Sequence, residues 1–470
     1  MYDILIIGSG LSSTAFLQGF AKKNKKIGLI SPSFLKVKRK TITSRLKTNY
    51  FKNLPPRVNE KNINGYINYL LKNKLQLANN VSIFGDLSHG GVSNYWGGSC
   101  DFLDESQITF LNNENKKKLL NYYTKIFKEN NFYGNLNIFK KQTNKKNFTD
   151  KNLNKVFQNL IFDNTSNKIK FYTNTNAKNT KTGKLYLPLN INTLTKNIKK
   201  LNYFVKKIEK KKNYYSVTCC DNKKSIEIFT KKLVLGTGTI STTKLICEML
   251  KINKPINIDH NPMLLGLFIL KEKIKLDSEN FAPSKLASKI YKNDHQTESV
   301  ANFRTSNVSI KSKIFDNFKI MKNPLSKGFY NIIEKNLLFF NLYLDSKYGD
   351  LNIQLQKNNT LRIFYKKKNI DKIKNILKND AKTIYNYLKS KNLVFPLKVY
   401  SLPPWGNDNH FTGTIPINGT NKQLSLKENC ELKGFKNLFI IDGSSIPTTT
   451  LKFPTALIIS NAYRIGKEFK

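Results

Sequence analysis

The C-terminal stretch concentrates the residues whose types and spacing could do chemistry. His410-Phe411-Thr412-Gly413-Thr414 is a histidine loop, and a histidine titrates near neutrality. Asn437-Leu438-Phe439-Ile440-Ile441-Asp442-Gly443 is a buried strand closed by Asp-Gly. It sets Asp442 at a strand's carboxyl end, where open α/β sheets bind their ligands. Phe453-Pro454-Thr455-Ala456-Leu457 opens a helix of small and apolar residues. The start at Pro454-Thr455 offers free N–H groups and a positive dipole end. Such a site suits a group that becomes negative when reduced, as a flavin does near its N1 and C2 carbonyl.

The elements that must position these residues begin at the other end of the chain. Asp3-Ile4-Leu5-Ile6-Ile7 is a nearly continuous apolar run, short enough to be a strand buried on both faces. Gly8-Ser9-Gly10-Leu11-Ser12-Ser13 follows at once, and Thr14 to Lys23 continues as a helix. This is the G-x-G-x-x-G/A dinucleotide pattern, with Ser13 in the third small position and the strand–turn–helix context its mechanism demands. The glycines let the backbone approach a pyrophosphate, whose charge faces the helix N-terminus. The second strand, Lys26 to Ile30, ends at Ser31, where an Asp or Glu usually holds the ribose hydroxyls. Ser31 can make only one weaker hydrogen bond, so adenosine binding leans on other contacts.

Two internal segments complete a pattern. The first is Gly90-Gly91-Val92-Ser93-Asn94-Tyr95-Trp96-Gly97-Gly98. The second runs from Asn192-Thr193-Leu194 through Val205 to Leu233-Val234-Leu235-Gly236-Thr237-Gly238-Thr239. With the two ends, these resemble the glucose-methanol-choline family of FAD oxidoreductases, and within it the pyranose-2-oxidase-like branch. The resemblance spans residues 3 to 466 and is weak across 130–185 and 255–400. It implies an FAD site in four parts. Gly8, Gly10, Leu11, Ser12, Ser13 and Ser31 supply the first part. Gly91, Ser93, Asn94, Trp96 and Gly97 of the glycine-rich flavin loop supply the second. Val205 and Gly238 form the third, and Asp442, Gly443, Pro454 and Thr455 the fourth.

Two positions depart from the family. Where the covalent branch carries a His before the Trp, this chain has Tyr95, so the expected FAD is non-covalent. His89 lies nearby but before the glycines. The family also puts a His or Asn just before the Pro-Thr of the last helix, and here that residue is Phe453, which cannot hydrogen-bond a substrate oxygen. His410 fills the other catalytic position, where alcohol oxidation needs a base to take the hydroxyl proton as a hydride leaves for flavin N5. Asn407, Asn409 and Lys452 are polar neighbours that could replace the missing partner.

The expected fold class is α/β, a Rossmann-like FAD-binding domain with an inserted α+β substrate domain built on an antiparallel sheet. Residues 1–105, 186–250 and 405–470 form the first domain, 106–185 a substrate or lid segment, and 251–404 the substrate domain. The last holds the β-rich runs Phe339 to Leu344 and Leu361 to Tyr365, separated by loops such as Lys357-Asn358-Asn359. Across 369–391, Ile370, Ile373, Ile376, Leu377, Ala381, Ile384 and Leu388 recur at helical spacing. At 470 residues and 39% hydrophobic content, the chain can bury more than one core.

The net charge of +49 invites a nucleic-acid or membrane-surface reading. Yet the lysines are scattered with abundant Asn and Ile, all encoded by AT-rich codons, and no RNA-binding signature accompanies them. The runs Lys36 to Lys40 and Lys206 to Lys212 are short. The expectation is no nucleic-acid partner, while a phosphorylated or nucleotide-linked sugar is compatible with a basic cleft. A strand starting at residue 3 leaves no room for a signal peptide, and no apolar run approaches the ~20 residues of a spanning helix. Five cysteines without paired spacing, and no metal-ligand pattern, fit a reduced cytoplasmic enzyme without metal. The sequence thus points to an FAD-dependent oxidoreductase acting on the CH–OH group of a sugar or sugar-like polyol, with an unknown electron acceptor. Its rivals are a flavin protein that has lost alcohol chemistry, favoured by Phe453, and a basic surface binder, favoured by charge alone.

Overall fold

The computed structural model describes residues 1–20, 25–32, 75–83, 85, 87, 89–94, 98–100, 103, 105–130, 132–133, 155–163, 165–174, 176–179, 198–221, 224–274, 286–291, 297–305, 328, 330, 332–365, 370–449, 451 and 453–469. At its centre lies β1 (Tyr2–Ile7), between parallel β2 (Ile27–Ile30) and β10 (Ser225–Leu235). The sheet extends through β7 (Ile198–Leu201) beside β2 and β19 (Leu438–Ile440) beside β10, both parallel. β10 is long enough to serve two layers. Its first half pairs antiparallel with β9 (Tyr215–Cys220), which pairs with β8 (Phe204–Lys210). There exposure largely alternates, whereas Leu233, Val234 and Leu235 in the parallel half are all fully buried.

Helices α1 (Leu11–Gly19) and α6 (Thr455–Glu468) pack on this sheet in backbone contact. A Cβ at Gly19 would lie 2.3 Å from the Tyr463 carbonyl oxygen, and one at Gly466 would lie 2.1 Å from that of Phe16. α1 starts three residues earlier than the expected Thr14, because Gly10 already serves as its N-cap. It closes at Gly19, with the Phe20 amide bonded to the Phe16 carbonyl at 2.9 Å, and Lys22 and Lys23 lie outside the described residues. Helix α2 (Asn113–Glu129), capped by the Asn112 side chain on the Asn115 amide, packs on α6 through Tyr122 and Tyr463.

A second layer is a six-stranded antiparallel sheet. In spatial order it holds β18 (Val394–Ser401), β12 (Met263–Leu270), β15 (Leu337–Leu344), β14 (Thr297–Thr305), β13 (Leu286–Tyr291) and β5 (Ile169–Thr173). Helix α5 (Ile370–Ser390) covers one face, burying Ile373, Leu377, Ala381, Ile384 and Leu388 in a core with Phe268 and Phe340, joined by α3 (Lys155–Phe162). β4 (Phe132–Tyr133) and β6 (Asn176–Asn179) form a separate pair.

The runs expected to share one sheet lie in two. Phe339 to Leu344 belongs to β15, but Leu361 to Tyr365 is β17 (Leu361–Tyr365), the second arm of a hairpin with β16 (Leu351–Leu355). The turn between them takes Asn359 at φ +59, and the hairpin is flanked by β11 (Ile256–Ile258) and β3 (Leu75–Leu77). Leu351, Ile353, Leu361 and Ile363 bury themselves in the core of the sheet that holds β1 and β10. A local hairpin forms from adjacent sequence, and its composition does not say which larger core it will complete. Among the described residues, no helix is long and apolar enough to cross a membrane. The architecture is α/β, with a Rossmann-like layer and a second domain built on an antiparallel sheet.

Candidate active site

Four turns meet at the carboxyl ends of the parallel strands. Gly8 takes φ +102, and a Cβ there would lie 2.3 Å from the Gly236 carbonyl oxygen, so the turns after β1 and β10 touch backbone to backbone. Gly236 in turn faces α1: a Cβ on it would lie 2.3 Å from the Ser13 hydroxyl oxygen. That contact is why the third position of the motif must stay small. The glycines at 90 and 91 join the group through the Gly90 amide, bonded to the Ser9 carbonyl at 3.1 Å, with Gly10 and Gly90 bridged in parallel. The Ser93 hydroxyl closes this loop on the Gly90 carbonyl at 2.7 Å, and Gly91 to Asn94 make one 3₁₀ turn. Tyr95, Trp96 and Gly97 lie outside the described residues, as does the side chain of Asn94. Beyond them, the Gly98 carbonyl accepts the Ala177 amide of β6. Ser31 is buried, with its hydroxyl 2.9 Å from that of Ser9, while His89 is half-buried beside Gly90.

This cluster fits a dinucleotide on structural grounds. A Cβ on Gly10 would meet only the Gly90 carbonyl oxygen, at 3.9 Å, and one on Gly238, at φ +86, would meet nothing within 4 Å. Both glycines N-cap a helix without a side-chain cap: Gly10 for α1 and Gly238 for α4 (Thr239–Leu250). The N-terminus of α1 therefore lies beside open space, the requirement for a diphosphate, and the Gly238 turn leaves open space at the start of α4. Val205 is buried in β8.

Asp442 follows β19 by two residues and ties the turns together. Its Oδ2 accepts the Gly238 amide at 2.9 Å and the Thr242 hydroxyl at 2.5 Å, and its Oδ1 accepts the Ser444 amide at 3.0 Å. Burial pushes this carboxyl up from its ordinary value, and these hydrogen bonds only partly offset the rise. Gly443 begins a 3₁₀ turn, alongside which the histidine loop runs: the Gly413 amide bonds the Gly443 carbonyl, and the Ile415 amide that of Ser444. Thr239 and Thr243 of α4 anchor the same loop, through the Phe411 carbonyl and the Thr414 hydroxyl.

His410 emerges from this loop with its side chain 18% exposed. Phe453, immediately before Pro454 and α6, lies edge-on to its ring at 4.7 Å, and Tyr343 of β15 lies 5.5 Å away. Tyr343 also meets Phe453 at 5.4 Å, and its hydroxyl accepts the Asn341 amide at 3.1 Å. The second domain thus sets an aromatic wall beside the histidine. Asn409 points its amide back to the Asn407 carbonyl, and Lys452 lies outside the described residues.

Two groups at this site escape a reading of the sequence. Asp408 is buried, and its Oδ1 is 3.3 Å from His260 Nδ1. Its Oδ2 accepts the Asn261 amide at 2.9 Å and the His410 amide at 3.3 Å, and lies 4.0 Å from His410 Nδ1. Burial pushes the Asp408 carboxyl up, but His260, His410 and the Asn261 amide outweigh it and hold the group below its ordinary value. Burial likewise depresses His410, with Asp408 partly restoring it. The Asp-x-His spacing was the available signal; His260, 148 residues earlier, gave none. Elsewhere, Lys206, Lys207 and Lys210 to Lys212 are exposed, with Glu209 paired to Lys207 and Lys211, and Lys36 to Lys40 lie outside the described residues.

No family model matches the chain, and no curated protein matches it. Its fold is similar to that of pyridoxine 4-oxidase from Mesorbium loti. The two chains are 12% identical, the match covers 100% of this chain and 99% of the other, and the TM-score is 0.59. At that identity the likeness is one of fold.

Proposed function

We propose that the chain is an FAD-dependent oxidoreductase that converts a CH–OH group of a small polar molecule, of the sugar or polyol class, to a carbonyl. When bound, FAD supplies the hydride acceptor. Gly8, Gly10 and the amides of Leu11, Ser12 and Ser13 hold its diphosphate. Gly91 and Ser93 of the glycine loop, Gly238, Gly443, and Pro454 with Thr455 at the start of α6 face the rest. Asp442 keeps the Gly238 turn open for it. His410 takes the hydroxyl proton, and Phe453 and Tyr343 exclude water from that side of the substrate. The observation that carries this reading is the placement of His410, partly exposed against an aromatic wall, on the loop hydrogen-bonded to the Asp442 turn.

The neighbouring fold is that of an enzyme named for oxidising pyridoxine, so the test spans both classes. Purified protein should be yellow, and its colour should bleach anaerobically with one member of a panel of sugars, polyols, their phosphates and pyridoxine. A second reading, a flavin protein without alcohol chemistry, is favoured by Phe453, which gives His410 no hydrogen bond. A yellow protein that no alcohol bleaches would select it, and a colourless protein would reject both.

A further inference from the structure

We infer that Asp408 is the positioning residue of this site. Its carboxylate, anchored by His260, holds the His410 ring in the orientation and charge environment that proton abstraction needs. The inference rests on the reading of His410 as the base. Its geometry is specific. Gly406 at φ +82 and Asn409 at φ +59 reverse the chain twice within four residues, turning the Asp408 carboxylate back onto the His410 amide. A Cβ on Gly406 would lie 2.5 Å from the Ser82 carbonyl oxygen, so this turn is wedged in place.

The carboxylate divides its two oxygens. Oδ1 faces His260 Nδ1 at 3.3 Å, while Oδ2 takes two backbone amides and faces His410 Nδ1 at 4.0 Å. His260 is 1% exposed, and its Nε2 has no hydrogen-bond partner among the described residues. A proton there would be buried without an acceptor, so the surroundings favour the tautomer that donates Nδ1–H to Asp408. His410 Nδ1 likewise has no hydrogen-bond partner, and Asp408 is the anion beside it. A proton on Nδ1 is therefore drawn toward Oδ2, which leaves the Nε2 lone pair for the substrate.

In the reaction, the alcohol O–H proton would pass to His410 Nε2, and a bound flavin would supply the acceptor for the hydride that leaves carbon as the carbonyl forms. His410 becomes a cation about 4 Å from a fixed anion, and Asp408 stays ionised throughout. A buried carboxylate at that distance favours the charged imidazole. The other groups bearing on His410 are His260 and Tyr343, and Arg304 of β14 bears on Tyr343. Phe453 adds no charge.

The chain has four histidines, so ¹³Cε1-histidine NMR of the flavin-loaded protein resolves and titrates each. Asp408→Asn should lower the His410 titration by about one pH unit and slow flavin reduction about tenfold at the pH plateau. Asp408→Glu, which keeps the charge, should restore most of the titration. If Asp408→Asn fails to load flavin, His260→Ala provides the second measurement: with its anchor gone, the carboxylate is no longer held in place, and flavin reduction at the pH plateau should slow severalfold. An unmoved His410 titration in Asp408→Asn, or an unslowed His260→Ala, would overturn the inference. So would a lowered titration with an unchanged reduction rate. If no alcohol reduces the wild-type flavin, the proposed activity fails, and the titrations still decide whether Asp408 governs His410.

Discussion

Asp442 and Gly238 are joined by a 2.9 Å hydrogen bond from the Gly238 amide to the Asp442 carboxylate, across 204 residues of sequence. The same oxygen accepts the Thr242 hydroxyl, so one side chain both closes the turn after β19 and shapes the start of α4. Asp442→Ala should leave the buried Ser444 amide without its carboxylate partner and remove the acceptor that the Gly238 amide and Thr242 hydroxyl share. The expected cost is about 1–3 kcal/mol, read as a lowered Tm, together with weaker flavin retention. Asp442→Asn should cost less, and its effect should depend on pH. Because burial raises the folded-state value, the native protein binds the proton more readily than the unfolded chain does. Wild-type stability therefore falls as pH rises from the ordinary carboxylate value through the raised one. Over that window the Tm of Asp442→Asn should climb relative to wild type, and a flat difference would refute the burial effect.

His410→Ala should keep the yellow colour and lose ~10²–10⁴-fold in the rate of flavin reduction, the usual share of a general base. Stopped-flow reduction at wild-type speed would make His410 structural. In wild type, the rate should rise with pH along a limb lying below the ordinary imidazole value, because burial depresses His410. Stability follows the same sign. The contribution from His410 is full above the unfolded-state value and is lost as pH falls through it toward the depressed folded one.

Flavin attachment follows from Tyr95. With no histidine before Trp96 in the flavin loop, acid precipitation should release all flavin into the supernatant, and colour remaining in the pellet would contradict the non-covalent reading.

How far the sequence carries this structure depends on the range of each interaction. The strand–turn–helix of residues 3–13 and the closing segment from Asn437 to Leu457 are legible because their patterns are local: an apolar run, a tight turn, a helix start. Phe453 beside His410 is what the family resemblance implies, since the two fill the family's paired positions. The partner of β17 is not legible, because a half-buried strand reads alike whichever sheet receives it. His260 needed the bridge between Asp259 and Thr412 to bring it beside Asp408, a register that no spacing encodes.

Two glycines of similar appearance should respond in opposite ways. Gly466→Ala places a Cβ 2.1 Å from the Phe16 carbonyl oxygen, so α1 and α6 must part, at about 1–3 kcal/mol by thermal unfolding. Gly10 already has φ −78 and free space, so Gly10→Val should leave the Tm of flavin-free protein nearly unchanged while abolishing flavin binding. A Gly10→Val protein that still purifies yellow would remove the diphosphate from this turn.

The backbone contact of α1 with α6 also fixes an order of events during synthesis. β1 and α1 are translated early, yet β1 pairs with β10, around residues 230–235, and α1 rests on a helix that begins at residue 455. The turn between β1 and α1 is thus translated long before its supports are complete: β1 can pair with β2 early but waits for β10, and α1 waits for α6. Such sequence-distant closure slows folding and keeps apolar surface of the N-terminal segment exposed during synthesis.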